Sequence, residues 1–419
     1  MIEDEEFKGR HRATQQDFTR VRSLPFALLL VLMMRKSMKS LQNVVNEAMT
    51  WLNEPLVTAS AYSQARYKLK HTAFIELNQE AVVKTRYSDN DYQTFWGFRL
   101  LAVDGSKLLL PDSDDVREEF GTIAWTSGTQ HGENPYALAS VLYDVLNRVA
   151  IDARLGKATA YEVDLAVEHL AYTTAADLLI MDRNYPSYRM LAELTQHQRN
   201  FVIRCSAASF KEAQLMLKGE GDDSQLVTLT PCAGQRREIK RLNLPSSLTV
   251  RLVRVRLSTG EWEVLVTSLL DEARYPSAEF LELYGLRWGI ETFYGLLKTR
   301  LALENFSGTG AEAVKQDFYA TVYLSGLESL LTESAQAQLD AKKTKHPQTV
   351  NRAVSFNAIK YQALDLLFSN EPLDPLMEKL TALFLSNPCL ERQHRNPPRK
   401  KSSARVLLNY QKREKKHCF

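Results

Sequence analysis

The chain has 419 residues, 44% of them hydrophobic, 25% charged and 9% aromatic, with a formal net charge of +3. Those are globular proportions, which exclude a collagen-like fibre, a coiled-coil rod and wholesale disorder, and the length predicts two or three domains. The four cysteines, Cys205, Cys232, Cys389 and Cys418, form no Cys-x-x-Cys pair, which excludes a disulfide scaffold and a zinc knuckle and points to a reducing compartment.

The first apolar run, Phe26–Met34, is too short for a membrane span, which needs about 20 residues. It has the length of a signal-peptide core. Yet Glu3, Asp4, Glu5, Glu6 and Asp17 offset the bases before it, and no small-residue cleavage site follows. It is expected to be a buried helix of a cytoplasmic protein with no membrane attachment. Residues 1–92 are expected to form a helical, DNA-binding domain. Residues 36–53 have helical periodicity, 53–55 break it, and a second helix is expected over 58–70, a spacing compatible with a helix-turn-helix. Arg66, Lys68 and Lys70, set among Tyr62 and Tyr67, suit phosphate contact.

Near Trp96 the texture changes. Strands are expected at 99–104, 107–110, 136–143 and 149–155, then a helix at 163–171, a strand at Asp177–Met181, a helix at 187–194 and a strand at 201–204. Strands followed by strand–helix alternation imply a mixed α/β sheet. Residues 205–270 are expected to be a β-rich, cationic insertion, with strands at 225–230, 236–242, 248–257 and 261–268. Arg251, Arg254 and Arg256 alternate there with valines, with a slip at Leu252 and Val253 that predicts a bulge. From residue 278 to about 386 the pattern is helical again, and 307–390 is a candidate dimerisation region. Residues 392–419 carry ten Lys/Arg against one Glu. This basic tail fits a polyanionic partner or a solubilising terminus equally well.

Two aspartates end apolar strands: Asp104 after Leu-Leu-Ala-Val and Asp182 after Leu-Leu-Ile-Met. Carboxyl ends of strands are where α/β sheets place their sites. A helix at 280–300 would carry Tyr284, Arg287, Glu291 and Lys298 within about 60° of one another, opposite Leu283, Leu286, Ile290, Phe293 and Leu297. Taken alone, Arg287 and Glu291 also fit an exposed i,i+4 salt bridge.

Together, Asp104-Gly-Ser, Asp182-Arg-Asn-Tyr and Tyr284-x2-Arg287-x3-Glu291-x6-Lys298 resemble the DDE transposases of bacterial insertion sequences, more narrowly the insertion-sequence-four group. The resemblance spans about residues 95–305. It implies an α/β, ribonuclease-H-like catalytic core at 93–306, interrupted by the β-rich insertion and flanked by helical N- and C-terminal regions. It also implies cut-and-paste DNA transposition: end cleavage, then transfer of the 3′-OH into target DNA.

The chemistry of phosphodiester cleavage suits these residues. Two divalent ions can activate the attacking water and stabilise the leaving oxygen, and Mg²⁺, or Mn²⁺ in its place, takes hard oxygen ligands. Asp104, Asp182 and Glu291 are the expected ligands, with Asp104 between both ions. Arg287 and Lys298 are expected on the DNA backbone, with Tyr284 on a terminal phosphate and Arg183 as a further phosphate contact. Relatives in the group release the transposon end through a hairpin with a base flipped onto an aromatic residue. Trp262 is the candidate platform, although a tryptophan packed in a sheet core has the same sequence appearance. The expected partners are double-stranded DNA, as terminal inverted repeats and target, and a second copy of the chain, with a nucleoid-associated location. A ribonuclease-H-like nuclease that only hydrolyses, or a non-catalytic DNA-binding derivative of a transposase, are the alternatives.

Overall fold

The computed structural model describes residues 1–391 apart from 21, 37–38, 128–129, 258 and 370–371. The basic tail therefore lies outside the described residues. The chain divides into two compact units, one formed by 1–88, 108–137 and 295–419, the other by 89–107 and 138–294. No described helix is long and apolar enough to cross a membrane.

The first unit is mainly helical. Its Phe26–Met34 helix is buried at every position, as an all-apolar helix must be. It packs against the long Ala311–Asp340 helix and the Arg352–Phe368 helix. The long helix also passes the Asn78–Val83 π-turn so closely that a Cβ on Gly326 would come within 2.6 Å of Val82 Cγ1. Nearer the N-terminus, Ser40 caps Leu41–Trp51 and Thr58 caps Ala59–Arg66 through side-chain acceptors. The second of these helices thus stops four residues short of the expected end.

Arg66 does not face solvent. Its guanidinium is 2% exposed. It donates to Gln316 Oε1 at 2.9 Å, Ser307 Oγ at 2.8 Å, the Ala313 carbonyl at 3.1 Å and Asp317 Oδ1 at 3.0 Å. The phosphate-contact reading of Arg66 is therefore corrected: Arg66 holds this helix to the long one. Tyr62 is buried as well, while Tyr67 and Lys70 are exposed.

The second unit is built on a sheet. Its strands are β1 (Arg99–Leu109), β3 (Gln130–Asp144), β4 (Val149–Lys157), β5 (Asp177–Met181), β6 (Asn200–Arg204), β7 (Ser224–Leu229), β8 (Leu248–Arg256) and β9 (Trp262–Thr267). β2 (Thr122–Ser127) pairs with the first half of β3 in the other unit. The order is β3-β1-β5-β6-β9-β8-β7, with β4 on β3. β5 lies parallel to both β1 and β6. The run β4-β3-β1-β5-β6 is a ribonuclease-H-like arrangement, a meander followed by two parallel strands reached through helices. β5 is buried along its whole length, as a central parallel strand should be.

The insertion does not stand apart from this sheet. β9 pairs antiparallel with β6, β8 with β9 and β7 with β8. The expected strand at 236–242 is a helix, Arg236–Arg241, with only Ile239 buried. One apolar residue among straight-chain ions is too little to set period 2 against period 3.6. There is no bulge either: the β8–β9 register runs unbroken from Arg251↔Thr267 to Arg256↔Trp262. The slip in the pattern arises because β8 is covered on both faces. Arg251 is 1% exposed and donates to the Tyr275 carbonyl at 2.7 Å and Ser277 Oγ at 2.7 Å.

Candidate active site

Parallel pairing decides where the two aspartates stand. In the β1–β5 register Val103 faces Met181, so Asp104 and Asp182 are the next residues of neighbouring strands at the same sheet end. Each carboxylate is seated by its own loop. Asp104 Oδ1 accepts from the Gly105 N–H at 2.9 Å, and Asp182 Oδ1 from the Asn184 N–H at 2.7 Å.

Glu291 reaches the same region from a helix. The expected helix at 280–300 is two pieces, Phe280–Gly285 and Trp288–Thr299, broken at Leu286 and Arg287. The continuous face drawn from the sequence is thus interrupted, which the spacing alone could not reveal. The second piece is fixed by neighbours of Glu291. Phe293 stacks on Tyr143 with ring centroids 4.4 Å apart. The Tyr294 hydroxyl donates to the Asp104 carbonyl at 3.0 Å and lies 3.3 Å from the Ala139 carbonyl.

Electrostatics tie the three acids together. Burial pushes the Asp104 carboxyl up to about 7; the Gly105 N–H opposes this, Asp182 and Glu291 push further up, and Arg287 pulls down. Like charges near one another favour the protonated acid, so Asp182 and Glu291 add to the effect of burial on Asp104. Arg287 is 4% exposed and pairs with Glu291 Oε1 at 2.8 Å. Its guanidinium lies 5.6 Å from the Tyr284 ring centre and 4.9 Å from that of Trp288. Arg287 Nε and the buried Tyr284 hydroxyl have no hydrogen-bond partner among the described residues. Buried polar groups left open cost about 1–3 kcal/mol each.

The other candidates are placed differently. Arg183 is exposed in the loop after β5. Lys298 belongs to the first unit, where it lies 3.7 Å from Glu304. Trp262, half-exposed at the start of β9, is flanked by the guanidiniums of Arg254 and Arg256, 4.9 and 5.4 Å from its ring centre. Arg254 is itself anchored to Asp223 Oδ1 at 2.6 Å. His169 has a structural place: its ring is buried between Asp152 Oδ2 at 2.8 Å and Ser140 Oγ at 3.0 Å.

Two residues beside the aspartates were not singled out from the sequence. Glu162, opening the Glu162–His169 helix, comes so close to β1 that a Cβ on Gly105 would lie 3.1 Å from its Oε1. An acid in a first helical turn is ordinary, so nothing marked it. Tyr185 ends the Asp-Arg-Asn-Tyr run and is fully buried. It was legible as part of that motif, but without a role.

As they stand, no three Asp, Glu, His or Cys side chains of the described residues close up tightly enough to enclose an ion. The donor set still fits a hard divalent cation. It holds oxygen only, one of its carboxylates is pushed toward neutrality by burial and further by its acidic neighbours, and it contains no thiol or imidazole.

Residues 96–324 match the family described as the transposase DDE domain. The chain belongs to that family. It is 27% identical over 294 residues to the transposase InsG for insertion sequence element IS4 of Escherichia coli (strain K12), an alignment covering 67% of this chain and 63% of that relative. The chain thus spans less than two thirds of the relative's length. Among solved structures, the piggyBac transposase in a synaptic complex with hairpin DNA is similar at a TM-score of 0.42 and 10% identity, over 86% of this chain and 75% of that one. A likeness that loose places no residue. The family match covers Asp104, Asp182, Glu291, Tyr284, Arg287, Lys298, Arg183 and Trp262, so every site candidate lies within the DDE domain.

Proposed function

We propose that the chain is a transposase that cuts the ends of a DNA element and transfers them to target DNA, with Asp104, Asp182 and Glu291 holding the divalent ions. The observation that carries this is the pairing of β1 with β5, which sets two aspartates side by side at one sheet end, with Glu291 within electrostatic reach of Asp104. Bound Mg²⁺, or Mn²⁺, would supply the Lewis acid and the activated water. The chain's own residues do the rest. The Gly105 and Asn184 amides orient the two aspartates, and Tyr294 locks the strand end against the helix bearing Glu291. Arg287 and Tyr284 offer unsatisfied donors to a phosphate. Lys298 and Arg183 add positive charge for the DNA backbone. The active species is a homodimer holding two transposon ends, with residues 1–92 binding end DNA and 307–390 contributing to dimer contacts. The test is a labelled transposon-end duplex incubated with Mg²⁺ and target plasmid. Nicked and strand-transferred products support the reading, and hydrolysis without joining supports the plain nuclease.

The hairpin route depends on Trp262, whose half-exposed ring lies 4.9 and 5.4 Å from the guanidiniums of Arg254 and Arg256. Trp262→Ala should lose about 1–3 kcal/mol of base stacking, roughly ten- to hundredfold. The loss should fall on hairpin formation and spare the first nick, with partial recovery in Trp262→Phe. Since the ring is half-exposed, the variant should remain folded. A folded Trp262→Ala protein forming hairpins at the wild-type rate would remove Trp262 from the mechanism.

The tail is tested through salt. Each phosphate contact adds about 0.9 to the slope of log affinity against log salt concentration. Deleting 392–419 should flatten that slope by several units. An unchanged slope would make the tail a solubilising terminus.

A further inference from the structure

Beside the two aspartates lies a second polar layer. Glu162 is half-buried; burial and the charge of Asp182 push its carboxyl above the ordinary range, against the pull of Lys107 and the Asn184 side chain. A Cβ on Gly105 would lie 3.1 Å from the Glu162 Oε1, so Glu162 stands against the β1 backbone next to Asp104. Next to it is Tyr185. This ring is 0% exposed, yet its hydroxyl has no hydrogen-bond partner among the described residues. The groups that act on that hydroxyl, after burial itself, are Glu162, Asp104, Tyr294 and Asp182. A donor surrounded by acceptors would ordinarily be satisfied by one of them. None of them bonds it directly, so the hydroxyl is a buried donor left open beside three carboxylates.

Mg²⁺ keeps several of its waters when protein carboxylates bind it, and groups that hold such waters tune affinity from outside the ligand set. We infer that Glu162 and Tyr185 form an outer shell for the divalent ion of the Asp104–Asp182 site, Glu162 accepting from an ion-bound water and the Tyr185 hydroxyl supplying its second partner. Neither is an ion ligand or a catalytic residue; both are positioning residues. This rests on the ion-binding reading proposed above.

The two residues differ in a way that makes the inference testable. Glu162→Gln keeps an oxygen for Asn184 and nearly the same shape, so a purely structural Glu162 would tolerate it. Tyr185→Phe removes only a hydroxyl that the ion-free protein leaves unsatisfied. The experiment is thermal melting of the full chain without DNA, in chelator and across a Mg²⁺ titration, for wild type, Glu162→Gln, Tyr185→Phe and Asp104→Asn. An ion that binds only the folded state raises the melting temperature with its concentration. Glu162→Gln and Tyr185→Phe should each need roughly 10–100-fold more Mg²⁺ for the same rise. In chelator, Tyr185→Phe should melt at or above wild type, because a buried unpaired hydroxyl is gone. Wild-type Mg²⁺ dependence in both variants would overturn the outer-shell role while leaving the ion site intact, provided that Asp104→Asn loses the response. Melting of Tyr185→Phe below wild type in chelator would also overturn it, by showing that the hydroxyl is bonded within the fold. No Mg²⁺ response in wild type would overturn the ion site and, with it, this inference.

Discussion

Replacing Asp104 by alanine is expected to lower Mg²⁺-dependent end cleavage at least ~1000-fold while leaving end binding near wild type. That loss corresponds to about 4 kcal/mol of transition-state stabilisation, in keeping with the removal of a ligand to an ion that carries developing charge. Asp182→Ala and Glu291→Ala should behave alike. Double variants should be little worse than single ones, since residues acting as one unit are non-additive. Stability separates this account from misfolding. The Asp104 carboxyl is pushed up to about 7 chiefly by burial. An acid with a raised folded pKa costs stability once pH exceeds its unfolded value near 4, and the cost is complete above about 7. Asp104→Asn should therefore melt at or above wild type at pH 8 in chelator, with no gain at pH 4. Cleavage side by side with a binding assay decides the matter. Mg²⁺-dependent cleavage retained in any of the three alanine variants would end the assignment of that residue.

The second large effect lies in the other unit. Arg66→Ala should destabilise the protein by about 3–5 kcal/mol, because it strands the Asp317 carboxylate without its partner in a fully buried site. Burial is the largest influence on Asp317 and raises its pKa, but the Arg66 charge, Lys36 and the Ser307 hydrogen bonds together hold the carboxyl below its ordinary range. The pair's contribution is therefore present above pH ~4 and is lost as pH falls through the depressed folded value. Lysine should not rescue, since a single ammonium cannot replace a fork donating to Gln316, Ser307, Ala313 and Asp317. Replacing both partners together, as Arg66→Met with Asp317→Leu, should recover much of the loss. Thermal melting reads this directly. If Arg66→Ala melted like wild type but showed a shallower salt slope for DNA, Arg66 would be a phosphate contact after all.

Arg66 also shows where sequence reading stopped. A basic residue on a short helix carries no mark of burial, because its partner, Asp317, is 251 residues away. Short-range signals survived better. Phe26–Met34 was legible to the residue because nine apolar side chains in a row leave no solvent face. β5 was legible because a buried parallel strand is apolar throughout. The aspartates that close two apolar runs were visible for the same reason, although β1 continues past Asp104 to Leu109, but their adjacency was not, since only the β1–β5 register creates it. The break at Leu286 and Arg287 escaped because both residues are good helix formers. Glu162 and Tyr185 escaped because their meaning lies in what faces them, which periodicity does not record.

The buried Phe26–Met34 helix has a consequence for how the chain is made. Its packing partners, Ala311–Asp340 and Arg352–Phe368, are translated about 280 residues later, which at roughly 5–20 residues per second is a wait of some 15–60 s. Through that interval the nascent chain displays nine consecutive apolar side chains. Burying them alone would require closing a very long loop first, an entropic cost paid before any contact repays it. The catalytic strands β1, β5 and β6 leave the ribosome earlier, together with the contacts they need within their own unit. Synthesis therefore completes the sheet while the helical unit still awaits its last segments, and a holdase that shelters the N-terminal run would act in that window.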